Sequence, residues 1–156
     1  MTSERESPGQ QKIPPLQSFG YRQPATDGES CKEIVLLCKT DTMRGAVHVI
    51  RQGGGENLHS HDTVDGFWMV LSGKVRFYGD DNRLLGEFGP MQGIMVPRFT
   101  RYRFESADGE QAEILQVLHF EPGKGFKRTN HAESNFDRSK VRWYDGRKVL
   151  QPDESP

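Results

Sequence analysis

Between residues 33 and 120 the chain is a succession of short apolar segments, each ended by glycine or a cluster of turn residues. The segments are Glu33–Cys38, Gly45–Arg51, Phe67–Leu71, Lys74–Tyr78, Leu84–Phe88, Ile94–Val96, Arg101–Glu105 and Glu113–Phe120. They are rich in β-branched and aromatic residues, and several alternate apolar with polar, as a half-buried strand does. Gly53-Gly54-Gly55, Gly79-Asp80-Asp81-Asn82, Gly89-Pro90 and Asp108-Gly109 punctuate them with turns. No window in this region carries a helical stripe of apolar residues. Many short strands at regular spacing predict an all-β sandwich or barrel.

The 156 residues fit one domain. Apolar residues make up only 33% of the chain and concentrate in the central strands. Residues 1–28 form a polar arm, expected to stay disordered, to add an edge strand or to swap onto a second subunit. Residues 29–121 are the barrel. Residues 122–156 are a highly charged extension expected to pack on it, with Trp143, Tyr144, Val149 and Leu150 as docking groups. A net charge of −1 with interspersed signs gives no footprint for nucleic acid or an anionic membrane. No apolar run approaches the roughly 20 residues of a membrane-spanning helix, and the first residues lack the apolar core of a secretory signal. Cys31 and Cys38 are too few for a disulfide framework. A cytoplasmic location is the resulting expectation.

The stretch GGGENLHSHDTVDGFWMVLSG, residues 53–73, carries the chemistry. On a strand, side chains alternate, so His59 and His61 share one face. Two imidazoles side by side suit one metal ion or shared acid–base work. His48 and His119 lie on other strands, whose facing the sequence leaves open.

This stretch resembles the first motif of the cupins, G(x)5HxH(x)3–4E(x)6G, with Gly53, His59, His61 and Gly73 in register. Gly66 stands at the glutamate position, with Asp65 one residue before it. The second cupin motif, G(x)5PxG(x)2H(x)3N, is matched at Pro97; Met91, Phe99, Tyr102 and Ser106 stand at its two glycines, histidine and asparagine. The resemblance covers about residues 33–120 and implies a single double-stranded β-helix of the RmlC-like, jelly-roll kind. It implies a metal site at His59 and His61, and the other two ligands of the family are replaced here. Asp65 becomes the third ligand if the backbone bulges by one residue; in plain alternation Asp65 faces out and Gly66 in. Tyr102 stands where the family has a histidine.

With Gly66 inward, Trp68 is inward too, and Thr100, Tyr102 and Phe104 line the opposite strand of an aromatic pocket. Arg98, Arg101 and Arg103 form a basic cluster that is either a solvated edge or, through Arg101, a clamp on an anionic substrate. Three functions follow. The first is an enzyme using a loosely held divalent transition metal (iron, manganese, nickel, copper or zinc) on a small organic substrate. The second is a metal-free isomerase, epimerase, cyclase or lyase with a histidine as base and Tyr102 as acid. The third is a non-catalytic small-molecule-binding cupin. A homodimer is expected, since cupins commonly pair.

Overall fold

The computed structural model describes residues 12–133 and 137–148. Its strands are β1 (Lys32–Lys39), β2 (Met43–Ile50), β3 (Glu56–His61), β4 (Val64–Ser72), β5 (Val75–Tyr78), β6 (Leu84–Phe88), β7 (Gly93–Val96), β8 (Tyr102–Ser106), β9 (Ala112–Phe120), β10 (Arg128–Asn130) and β11 (Val141–Asp145). Helical structure among the described residues is confined to single 3-10 turns. No helix there is long and apolar enough to cross a membrane. The strands form two sheets, ordered β11-β1-β2-β9-β4-β7 and β10-β3-β8-β5-β6. All pairings are antiparallel except β1 with β11. Two sheets facing each other, joined by short crossings such as the two residues between β3 and β4, make the double-stranded β-helix that the cupin resemblance implies.

Alternation along each strand decides what enters the space between the sheets. On β9, Ala112, Ile114, Gln116, Leu118 and Phe120 are buried, and the residues between them are not. The main core gathers Ile50, Val70, Val75, Phe77, Phe104, Ala112 and Ile114, and Trp68, Val96 and Tyr102 belong to the same cluster. The tight turn that carries the chain from β4 in the first sheet to β5 in the second requires glycine. Gly73 has φ +74°, and a Cβ there would lie 2.6 Å from the Gln111 carbonyl oxygen.

The chain ends add to this frame in ways the apolar pattern does not display. Residues 12–31 form no strand. They lie along the outer face of the first sheet, where Gln17 exchanges two hydrogen bonds with the Lys39 backbone. Tyr21 packs against a second cluster of Val35, Leu37 and Val47, and donates its hydroxyl proton to Glu113. The C-terminal extension supplies a strand to each sheet: β10 pairs with β3, and β11 with β1. Trp143 and Tyr144 stay largely exposed, so β11 docks through its backbone rather than through its rings. Residues 1–11, Val149 and Leu150 lie outside the described residues.

Candidate functional site

The histidine strand β3 lies in the second sheet, between β8 and β10. His59 and His61 both turn inward, their rings 5.0 Å apart and edge to face. The His59 Nδ1 lies 2.6 Å from the Asn57 carbonyl oxygen and the His61 Nδ1 3.2 Å from that of Lys127. A ring nitrogen facing a carbonyl must carry the hydrogen, which leaves Nε2 of each neutral ring as the lone pair. Tyr102 sits opposite His59 in register, with ring centroids 4.4 Å apart. Trp68 reaches in from β4 and is 2% exposed. His59, His61, Trp68 and Tyr102 therefore line one cavity of about 370 Å³.

Four residues expected at the site lie elsewhere. Asp65 is on the outer wall, where its two oxygens accept from the Arg98 amide at 2.8 Å and from Arg98 Nη2 at 2.9 Å. The bulge needed to turn it inward does not form, because β4 keeps unbroken register with β9 from Val64 to Val70. Gly66 does face inward, but Leu118 fills the room beside it: a Cβ on Gly66 would meet Leu118 Cδ2 at 2.6 Å. Thr100 is exposed in the loop before β8 and borders only a narrow crevice beside His61 and Tyr102. Arg101 points to solvent, 3.7 Å from Asp80. Phe104 is fully buried below the cavity, its ring 4.7 Å from that of Trp68 and 5.3 Å from that of Phe77. The three arginines do not converge: Arg98 pairs with Asp65 and Glu121, while Arg103 lies over the Tyr78 ring.

The cavity wall also holds polar residues that the apolar alternation does not single out or orient. Arg44 and His48 come from β2, Gln116 from β9, Lys32 from β1, Glu56 from β3 and Arg128 from β10. His48 is inward, edge-on to Trp68 at 5.0 Å, whereas His119 is exposed. Gln116 had a legible signal, as the one polar residue in the otherwise apolar buried row of β9. Glu56 had none. A register shift between Glu56 and His59 opposes this odd spacing to the even spacing of Phe104 and Tyr102 on β8. That bulge brings Glu56 to the same inner face as His59.

One carboxylate and four cations line the cavity: Glu56 against Lys32, Arg44, Arg128 and Arg138. The Glu56 oxygens are paired with Lys32 Nζ and, at 3.0 Å, with Arg128 Nη1. Burial would raise the Glu56 pKa, but the two cations outweigh it and hold the carboxyl at about 2. Burial, then the Arg128 charge, pushes His59 down to about 4. Burial lowers His61 as well, and pushes His48 well below the ordinary histidine value. Tyr102 is raised by burial, against a hydrogen bond from Trp68 that acts the other way. At neutral pH the site therefore presents three neutral imidazoles and a protonated phenol in a positive field.

A divalent ion would take the two open Nε2 atoms and then need a carboxylate or a third imidazole. Asp65 faces the other way, Glu56 is already held by two cations, and the third imidazole, His48, packs against Trp68 and Gln116 rather than beside the pair. Among the described residues no three His, Cys, Asp or Glu side chains are grouped to hold a metal. The donor set, inside a wall of positive charge, does not fit a resident divalent ion.

No protein-family model matches the chain, and no curated protein matches it. Solved structures do. An uncharacterized protein with a double-stranded β-helix domain from Klebsiella pneumoniae is 14% identical, with TM-score 0.55 over 70% of this chain and 90% of that one. An RmlC-like cupin protein from Desulfovibrio desulfuricans is 15% identical, with TM-score 0.55 over 67% of this chain and 96% of that one. A cupin superfamily protein from Desulfitobacterium hafniense is 15% identical, with TM-score 0.55 over 69% of this chain and the whole of that one. The chain has the double-stranded β-helix fold of the RmlC-like cupins. At these identities the likeness concerns the fold, and the site must be read from its own residues.

Proposed function

We propose that the chain is a cupin enzyme that moves protons on a small organic molecule, with His59 as base and Tyr102 as acid and no resident metal. One observation carries the reading: a neutral imidazole with a free Nε2 and a protonated phenol meet at 4.4 Å between ring centroids, on the wall of one cavity. In this scheme His59 Nε2 takes a proton from carbon beside a carbonyl while Tyr102 gives its proton to the carbonyl oxygen. For an isomer, His59 gives the proton to the former carbonyl carbon and the Tyr102 phenolate takes one from the neighbouring hydroxyl; for an epimer, solvent protonates the carbon on the other face, His59 loses its proton to solvent and the phenolate recovers its own from the enol oxygen, so both side chains are restored. The low His59 pKa keeps the base unprotonated at neutral pH, and the high Tyr102 pKa keeps the acid loaded.

Incubation with small hydroxy ketones and oxo acids in D2O, followed by NMR, tests this. Solvent deuterium should appear at one carbon of a substrate. Tyr102→Phe and His59→Gln should each slow incorporation by about a hundredfold or more, the usual weight of a general acid or base. Dialysis against EDTA should leave the rate unchanged. A rate lost to EDTA and restored by Mn(II) or Zn(II) overturns the metal-free reading. A ligand bound in the cavity without exchange makes the protein a binding module instead.

A further inference from the structure

Two polar atoms in the described part of the molecule are buried without a hydrogen-bond partner, and both belong to cavity-lining residues of β2: Arg44 Nε and His48 Nδ1. Buried polar groups are nearly always paired, so each of these two calls for a partner that the protein's own side chains do not supply. The two side chains converge. Arg44 Nη2 and His48 Nε2 each lie 3.2 Å from the same atom, Gln116 Oε1.

The hydrogen assignments at this junction are forced. A guanidinium can only donate, so the Gln116 atom beside Arg44 is the carbonyl oxygen and not the amide nitrogen. That oxygen only accepts, so His48 Nε2 must carry a hydrogen. His48 is fully buried, and desolvation followed by the Lys32 charge keeps its ring neutral. Its Nδ1 is then a bare lone pair that needs a donor. Arg44 Nε needs the opposite, an acceptor. No carboxylate of the described residues pairs with the Arg44 guanidinium, which is charged at any ordinary pH and packs near the Phe126 ring at 5.9 Å. The vacant requirements are an anionic acceptor at Arg44 and, beside it, a group that donates a hydrogen bond.

We infer that the cavity takes a small hydroxy acid, with its carboxylate on the Arg44 guanidinium and a hydroxyl donating to His48 Nδ1. This rests on the reading of the cavity as a small-molecule site and narrows it to a substrate class. Water satisfies the histidine but not the charge. A simple fatty acid satisfies the charge but not the histidine. A neutral polyol does the reverse. The excess of cations in the wall, partly balanced by Glu56, favours the same class.

Binding to the full chain separates the terms. Calorimetry with gluconate, sorbitol and hexanoate compares charge plus hydroxyl, hydroxyl alone and charge alone on six carbons; malate against succinate repeats the hydroxyl test. Gluconate should bind at least tenfold more tightly than either control, and malate more tightly than succinate. Arg44→Gln should bring gluconate to the level of sorbitol, and Arg44→Lys should recover part of the loss. His48→Phe should abolish the preference for the hydroxylated acid while leaving the charge preference. Circular dichroism checks that each variant folds. Sorbitol matching gluconate, an unchanged affinity in Arg44→Gln, or no binding by any acid overturns the inference. Binding of this pattern together with a Tyr102→Phe protein that exchanges deuterium at the normal rate overturns the catalytic reading and leaves this one standing.

Discussion

The two ends of the barrel interior are built by the same strands and differ in almost everything else. Toward one end β2, β4, β8 and β9 contribute Ile50, Val70, Phe104 and Ile114, all with no measurable exposure. Two residues along each strand, on the same face, they contribute His48, Trp68, Tyr102 and Gln116. Each strand thus crosses from dry core to polar cavity in one pleat repeat. Trp68 is the boundary, touching Phe104 on one side and His48 on the other. The difference shows that stability and chemistry are held largely by adjacent residues, with Trp68 and Tyr102 shared between them. The packed end can fix the strands in register while the other end keeps polar groups that a close-packed interior would not accept.

The largest test of that division is Phe104→Ala. It empties a fully buried ring between Trp68 and Phe77, and should cost about 3–5 kcal/mol in denaturant unfolding. A loss under 1 kcal/mol would mean that the two ends do not divide the work.

Acid should strike the polar end next. His59 has a folded pKa of about 4, below the 6.5 of an exposed histidine, so the unfolded chain binds the proton first. As pH falls from about 6.5 toward 4 the fold should lose on the order of 3 kcal/mol through this group. His59→Gln should flatten that slope in urea titrations run across the interval. Glu56 acts with the same sign in a lower window: its folded pKa of about 2 is below its ordinary 4.5, so its contribution is intact above that ordinary value and is lost as pH falls further toward 2. An unchanged slope in His59→Gln would place the proton uptake on His48 or His61.

Tyr102→Phe sharpens the comparison from the other side. The ring remains to pack against Phe77 and His59, so unfolding should change by only about 1 kcal/mol, the worth of one hydrogen bond, while deuterium exchange collapses. The smallest effect belongs to the outer wall. Asp65→Asn breaks a half-exposed pair with Arg98 and should cost under about 1 kcal/mol, with exchange activity unchanged. Lost activity there would return Asp65 to the site.

How much of this was readable in advance follows the same boundary. Eight strands could be located from apolar alternation and turn residues, because burial on one face imposes a period of two. The same rule put His59 and His61 on one shared face, and Trp68 on the same face as Gly66. It stalled wherever the repeat broke or had no apolar row to anchor it. Glu56 is turned in by a bulge that its sequence does not mark. Lys32, fully buried, reads on a sequence as a strand-end charge. Arg128 sits on a three-residue strand in a charged segment with no periodicity at all.

The sequence by itself determined the all-β architecture, the shared face of the histidine pair and the replacement of the glutamate by Gly66. These are local matters, settled by alternation and by what a side chain is. Only the tertiary structure decided that Leu118 fills the space at Gly66, that Asp65 answers to Arg98, and that Arg44, His48 and Gln116 meet at one oxygen. Those contacts join residues as many as 72 positions apart. They depend on strand order and register, which pairing between sheets fixes and no local pattern encodes.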